Sequence, residues 1–239
     1  MSTFQRQTVI CPTCQHSVDG NLLEGMRAEA LPELLEAVRT RTLHLLRCPS
    51  CHEEFRVEKP FLVADLVSGY YLAVELPTRS WWAAQERQEE VFQRAFQAGP
   101  AIARSIGERV HYRRVVFGLE ALREKLILRD AGLDDRTVEI VKHRSQLERG
   151  VSPSAELLRV QLVLPEGHLL LGRWNIDSAS EGRNLPANAY PDGFITIPAA
   201  QVWNVMLEIV PDQTQWAVLN EPWFVDLHWS SCDPRPTTQ

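Results

Sequence analysis

The sequence predicts an α+β fold in three successive parts, and three observations support this prediction. Two identical Cys-Pro-x-Cys motifs lie among short strand-like segments near the N-terminus. Residues 79–150 carry mainly helical patterns of apolar residues. After residue 150 the pattern changes to strand-like segments and one helix. We therefore expect an N-terminal antiparallel ribbon over 1–78, a mainly helical segment over 79–150, and a small mixed α/β C-terminal domain over 151–239.

In the first part, strand and helix signals alternate around the cysteine motifs. Short strands are predicted at Thr8–Ile10, Thr42–Arg47 and Glu54–Val57. Between the motifs, Pro32 followed by Glu33 predicts the start of a helix, because proline favours the first helical position and acidic residues the first turn. Val67-Ser68-Gly69 predicts a hairpin between strands Phe61–Leu66 and Tyr70–Leu76.

The middle segment is predicted to contain three helices and one strand. Helical periodicity covers Trp81–Gln97, and the Gly99-Pro100 pair ends it. The other expected elements are a strand at Arg109–Phe117 and helices at Leu119–Leu128 and Thr137–Leu147, the last with Asp134 as its N-cap.

A linker at residues 150–154 is expected to precede the C-terminal domain. The elements predicted after it are strands at Leu157–Leu164, His168–Trp174, Phe194–Ile197 and Trp223–Trp229, and a helix at Pro198–Ile209.

Composition is that of an ordinary globular protein, with 44% hydrophobic and 23% charged residues among 239. No apolar segment of an export signal follows Met1, and no run reaches the ~18 apolar residues of a membrane helix. We therefore expect a cytoplasmic protein without a membrane segment. The net charge of −6 argues against nucleic acid as the partner.

The four cysteines of the two motifs carry the strongest functional signal. Cys11-Pro12-Thr13-Cys14 and Cys48-Pro49-Ser50-Cys51 share one frame. Without an export signal, such pairs indicate metal ligands rather than disulfides. Two intervening residues let both sulfur atoms of a motif face one ion, and four thiolates suit tetrahedral Zn²⁺. We expect Cys11, Cys14, Cys48 and Cys51 to hold one structural zinc ion, with iron as the alternative that the sequence leaves open.

Four further residues bear on this ligand set. His16 and His52 follow the motifs, but four thiolates already complete a tetrahedral shell, so we expect neither histidine to be a ligand. Typical knuckles carry Gly directly after the second cysteine, where this chain has Gln15 and His52. A positive φ at these positions costs about 1 kcal/mol. Cys232 lies alone near the C-terminus, and we expect a free thiol there.

The motifs and several later runs resemble the CpXC family, bacterial and archaeal proteins with duplicated Cys-Pro-x-Cys motifs. The resemblance includes Phe55–Glu58 after the second motif, together with Pro60 and Asp65. It continues in the runs Val115–Glu120, Leu122–Lys125, Gly132–Arg136 and Phe224–Asp226. The resemblance implies zinc binding by the four cysteines and supplies no catalytic residues.

Two other groups of residues are candidate binding surfaces. On a strand, Arg109, His111 and Arg113 would project from one face and could bind a phosphate or an acidic partner. The alternative is a solvated sheet face paired with the acidic C-terminal third. That third contains five tryptophans: Trp174, Trp203, Trp216, Trp223 and Trp229. Core packing explains most of them, and one or two exposed tryptophans would mark a protein interface.

No recognised catalytic motif accompanies the cysteines, since phosphate-binding loops, His-Glu-x-x-His and Gly-x-Ser-x-Gly are absent from the sequence. We therefore expect a non-enzymatic protein-interaction or adaptor module with one structural Cys₄ zinc site. The sequence names neither its protein partner nor its oligomeric state.

Two alternatives stay open. A nucleic-acid-associated zinc-ribbon protein would need a basic ribbon surface. An enzyme with an unrecognised active site in the C-terminal domain would need a pocket with convergent polar groups.

Overall fold

The computed structural model describes residues 2–76, 81–176, 190–208 and the single positions 223, 226 and 228. Within these residues the chain forms six α-helices and ten β-strands in mixed sheets, which confirms the predicted α+β class. The chain divides into two compact units. The first contains residues 2–76 and 88–122, and the second contains the remaining described residues. The predicted division at residues 78 and 150 stays a prediction.

The first unit contains a five-stranded sheet and a two-stranded ribbon. In chain order its strands are β1 (Thr3–Ile10), β2 (Ser17–Arg27), β3 (Leu45–Arg47), β4 (Glu54–Arg56), β5 (Phe61–Asp65), β6 (Tyr70–Glu75) and β7 (Tyr112–Phe117). The sheet order is β1-β2-β5-β6-β7, with β2 parallel to β5 and β6 parallel to β7. β3 pairs with β4 alone and forms the ribbon.

Helix α1 (Pro32–Arg39) begins with proline and has Glu33 in its first turn, as predicted, and it buries Leu35 and Val38. The sequence did not predict β2. Its Asp19-Gly20-Asn21 run has the composition of a turn, yet it pairs with β1, and Val18, Gly20 and Leu22 alternate as buried residues.

The predicted helix Trp81–Gln97 forms as α2 (Trp81–Phe92) and a π-helical turn at Gln93–Gln97. Helix α3 (Ala101–Arg109) was not predicted, and none of its residues is buried. Helix α4 (Leu119–Asp130) follows β7 at the predicted place. Among the described helices, none is long and apolar enough to cross a membrane.

The second unit packs helices on one face of a three-stranded antiparallel sheet. Its elements are α5 (Asp135–Glu148), β8 (Glu156–Val163), β9 (Leu169–Asn175), β10 (Gly193–Ile197) and α6 (Ala199–Glu208), and the sheet order is β10-β9-β8. Asp134 caps α5 as predicted, because its side chain accepts from the backbone N–H of Arg136 at 2.9 Å. The core is formed by apolar side chains of α5, α6 and the sheet. The predicted strand Trp223–Trp229 lies largely outside the described residues.

Candidate metal centre

The two cysteine motifs form loops at the ends of two strand pairs. Ile10 pairs with Ser17 at the end of β1 and β2, and Cys11 follows directly. In this first loop the N–H of Cys11 donates to the carbonyl of His16 at 2.9 Å. The N–H of Gln15 donates to the carbonyl of Cys11 at 3.0 Å. These two bonds close a tight turn that contains both cysteines of the motif.

The second loop repeats this geometry between β3 and β4. The N–H of Cys48 donates to the carbonyl of Glu53 at 2.9 Å, and that of His52 donates to the carbonyl of Cys48 at 3.0 Å. Gln15 and His52 have φ values of 60° and 62°, so the positive φ predicted after each second cysteine is confirmed. The shared Pro-containing frame therefore produces two equivalent knuckles.

Four sulfur atoms converge from these knuckles. The Sγ of Cys11 lies 3.7 Å from that of Cys51, and the Sγ of Cys14 lies 3.5 Å from that of Cys48. All four lie within 4.8 Å of one another. A tetrahedral ion with metal–sulfur bonds of about 2.3 Å would place its ligands about 3.8 Å apart. The four side chains could therefore hold a single tetrahedral metal ion.

The two halves of the centre differ in burial. Cys11 and Cys48 are fully buried with Val18 and Phe55, whereas Cys14 and Cys51 reach the surface. Backbone N–H groups that point at the sulfur of Cys48, foremost that of Cys51, lower its pKa to about 6. At Cys51 the backbone N–H of Glu53 favours the thiolate, but burial and the nearby sulfur atoms outweigh it and raise the pKa of that thiol to about 12. The loop therefore favours the thiolate at Cys48, and ionisation of Cys51 needs a cation to compensate the charge of its neighbours.

His16 and His52 are exposed and do not join the cysteine cluster. The centre is thus formed from sulfur alone within the described part of the chain. Cys232 lies outside the described residues, so its predicted free thiol stays a prediction.

Two of the segments that resemble the CpXC family, Phe55–Glu58 and Val115–Glu120, contact each other next to the ribbon. Arg56, next to the second knuckle, donates to the carboxylate of Glu120 at 2.9 Å, and Arg41 donates to the same carboxylate at 2.9 Å. Burial opposes ionisation of this carboxyl, but Arg41 and Arg56 together hold the pKa of Glu120 below its usual value. Glu58 accepts from the backbone N–H of Leu119 at 2.9 Å, at the start of α4. These contacts fix the end of the ribbon to the β7–α4 turn.

His44 joins the ribbon to the sheet in the same unit. The backbone N–H of Leu23 donates to Nε2 of His44 at 2.9 Å, and Nδ1 lies 3.2 Å from the carbonyl of Val57. Nε2 must therefore be unprotonated while Nδ1–H donates. Burial lowers the pKa of His44 to about 4, and the ring packs edge-on against Phe61. The neutral imidazole is the form that this contact needs.

Stability of the first unit is expected to fall by about 3 kcal/mol as the pH drops from 6.5 to 4, because the unfolded chain binds a proton at His44 that the folded chain excludes. Below pH 4 this contribution should level off. His44→Asn keeps a residue that tolerates the φ of 58° and removes the titration. Urea unfolding of both proteins across this range measures the difference. Metal release by acid affects both equally, so parallel pH profiles would contradict the assignment to His44.

The second unit contains a group of buried charged side chains that the sequence did not reveal. We call it the buried ionic network; its members, 0–5% exposed, are Glu124, Lys125, Asp135, Glu139, Lys142, Arg159 and Asp226. Lys142 Nζ lies 3.2 Å from Glu124 Oε1 and 2.6 Å from Glu139 Oε1. Arg159 donates to Glu124 at 3.2 Å and to Asp226 at 2.6 Å. These contacts connect α4, α5 and β8.

The network lies along the outer edge of β8, an edge strand in the described sheet. Lys142 donates to the carbonyl of Leu158 at 3.3 Å, and Gln146 donates to that of Glu156 at 2.7 Å. Glu124 accepts from the N–H of Val160 at 2.7 Å. Helix side chains thus satisfy backbone groups that a further strand would otherwise pair. The buried charges therefore have a structural role, which is to hydrogen-bond the backbone on the outer edge of β8.

The predicted basic strand face does not form. Arg109 ends α3, and β7 begins only at Tyr112, so Arg109, His111 and Arg113 do not share a strand. Arg113 lies 3.6 Å from Glu89 and stacks over Phe92. This part of the chain therefore offers no phosphate site of the predicted kind.

The family described as CpXC protein matches residues 9–142, more than half of the chain. The matched region includes all four cysteines and the Arg56–Glu120 contact. No curated protein and no solved structure matches the chain. The chain belongs to the CpXC family, and the predicted resemblance is confirmed.

Proposed function

We propose that this member of the CpXC family is a protein-interaction module organised by one structural zinc ion at Cys11, Cys14, Cys48 and Cys51. The observation that carries the proposal is the convergence of four sulfur atoms within 4.8 Å on two equivalent knuckles. Four thiolates fill every position of a tetrahedral ion, so no site is open for water or substrate. The ion therefore stabilises the ribbon and performs no chemistry.

The purified protein is expected to contain about one zinc per chain, bound by four sulfur ligands, because closed Cys₄ sites are typical of structural zinc. Elemental analysis gives the stoichiometry, and X-ray absorption at the metal edge gives the ligand type. Iron in place of zinc, or nitrogen in the ligand shell, would contradict this assignment.

A protein partner is supported by the surface of α6. Trp203 is 59% exposed and Leu207, one turn later, is 77% exposed, whereas Trp174 and Trp223 are buried. Exposed tryptophan beside an aliphatic residue is a typical interface feature. Trp216 and Trp229 lie outside the described residues.

Nucleic acid is the second candidate, and the charges near the metal centre disfavour it. The cations among the first sixty residues that lie in ion pairs with carboxylates are Arg6, Arg27, Arg39, Arg41, Arg56 and Lys59. Among the residues that the structure describes, no carboxylate forms such an ion pair with Arg47, the seventh cation of this stretch. A phosphate-binding ribbon needs several cations without such partners.

A pair of assays on one preparation tests the proposal. Titration with labelled DNA and RNA at two salt concentrations should give dissociation constants no better than ~10⁻⁵ M. Affinity purification of the tagged chain, with Trp203→Ala as the matched variant, should recover a protein whose binding the substitution weakens. Submicromolar nucleic-acid binding with a steep salt dependence would overturn the proposal.

A further inference from the structure

β1 forms an edge of the five-stranded sheet and has β2 as its neighbour. Most of its residues are exposed, including Phe4 at 50% and Ile10 at 53%. Natural edge strands are usually protected by lysine, proline or inward-pointing charge. Thr3–Ile10 contains neither lysine nor proline, and its only charged residue is Arg6. Within the described part of the chain, this edge therefore lacks the usual protection against strand pairing.

The backbone groups on this edge can be assigned from the neighbouring hydrogen bonds. The N–H of Cys11 donates to His16, across the β1–β2 pair. Because antiparallel strands alternate between bonded and non-bonded residues, the odd-numbered residues of β1 face β2. The N–H of Leu23, opposite Phe4, donates away from β1 to His44, which agrees with this alternation. The outward N–H and C=O groups are therefore those of Phe4, Arg6, Thr8 and Ile10.

We propose that this edge pairs with β1 of a second copy of the chain, antiparallel and about a two-fold axis at Gln7. Because this axis is perpendicular to the sheet, side chains that lie on one face in the first copy lie on the same face of the joined sheet in the second copy. It places Phe4 opposite Ile10 of the second copy and Arg6 opposite Thr8 of the second copy. The two exposed apolar residues of the strand thereby cover each other, twice in one dimer.

Repulsion between arginines favours the axis at Gln7 over an axis at the neighbouring residue, Arg6. An axis at Arg6 would give a similar overlap but would place two arginines directly opposite each other, which is destabilising. It would also pair Phe4 with Thr8 and leave Ile10 uncovered. The axis at Gln7 separates the arginines, and each Arg6 keeps its ion pair with Asp19, 2.9 Å away in its own chain. A second copy is therefore a better match for this edge than an arbitrary extended peptide.

The proposal is independent of the identity of the metal and of the protein partner. A single strand pair buries less than a standard protein interface of about 1,600 Å². The dimer is therefore expected to dissociate at roughly micromolar concentration or above, so its population depends on protein concentration.

Sedimentation equilibrium of the full chain, from about 1 to 200 μM, tests the pairing, a range that brackets micromolar dissociation. Thr8→Pro removes an outward N–H and should raise the dissociation constant at least ~10-fold, since proline is tolerated on the free side of an edge strand but cannot pair there. Thr8→Ala is the matched control. It loses the same hydroxyl contact to Asp19, at 2.6 Å, but keeps the N–H and should dimerise like the parent chain. A chain that stays monomeric throughout, or equal dimerisation of both variants, would overturn the proposal.

Cross-linking tests the register and does not depend on the proline variant. Two Gln7 residues at the axis would form a non-bonded pair with Cα atoms about 4.5 Å apart, within the range of a disulfide. Gln7→Cys should therefore give a covalent dimer in oxidised glutathione, beyond the background of the parent chain. Gln5→Cys is the control, because the two Gln5 residues would lie about 13 Å apart along the strands. Equal cross-linking of both variants would contradict the axis at Gln7.

Discussion

Cys11→Ser is expected to release the metal and to unfold the ribbon while the second unit stays folded. Cys11 is fully buried in a small cluster whose other buried members are Val18, Cys48 and Phe55. β3 and β4 have three residues each, too few to be stable as a ribbon without further support. Structural zinc contributes about 10 kcal/mol or more to such modules, comparable to the whole stability of many domains.

Metal analysis and hydrogen exchange measure this outcome together. Amides around both knuckles should lose protection in Cys11→Ser, whereas those of β8 and β9 should keep it, since they belong to the separate core of the second unit. Cys232→Ser is the matched control, because this cysteine lies outside the two Cys-Pro-x-Cys motifs, and the variant should keep its metal. Loss of protection across the whole chain, or an unchanged exchange pattern, would contradict the prediction.

Local signals were sufficient to predict several elements. Pro32 and Glu33 mark α1, and Asp134 marks α5, because capping preferences depend on only a few neighbouring residues. The knuckles were predicted down to the positive φ at Gln15 and His52, since the motif itself dictates the turn. β2 was missed because its polar run is stabilised by pairing with β1, a tertiary effect that its own sequence does not show.

The buried ionic network was missed for a related reason. Charged residues on helices are usually solvated, and only the position of the β8 edge makes these buried. One signal was available. The chain has three lysines among its 25 cations, and two of them, Lys125 and Lys142, belong to the network. A compact ammonium with three donors fits the three acceptor groups around Lys142, which are the carboxylates of Glu124 and Glu139 and the carbonyl of Leu158, whereas a planar guanidinium does not. Lysine in an arginine-rich chain therefore indicated a specific environment.

Lys142→Met is expected to destabilise the second unit by about 3–5 kcal/mol, because the buried ionic network would keep its four carboxylates but only two of its three cations, and uncompensated buried charge is strongly destabilising. Methionine has similar length, so packing changes little. Glu124 and Glu139 would then face each other without the ammonium between them, and the carbonyl of Leu158 would lose a donor. Urea unfolding followed by tryptophan fluorescence gives the free energy of unfolding, since Trp174 is buried in this unit.

Arg144→Met is the matched control on the same helix. Arg144 pairs with Glu208, but the two side chains are 40% and 55% exposed, and such surface pairs contribute less than ~1 kcal/mol.

The two variants should also differ in their response to acid. Burial already raises the pKa of Glu139, and loss of Lys142 raises it further. A carboxyl whose folded-state pKa is raised stabilises the fold as the pH falls through that pKa toward the ordinary value. Lys142→Met should therefore recover part of its loss as the pH falls below neutrality, and Arg144→Met should not. Equal losses at every pH would show that the network does not act as one connected unit.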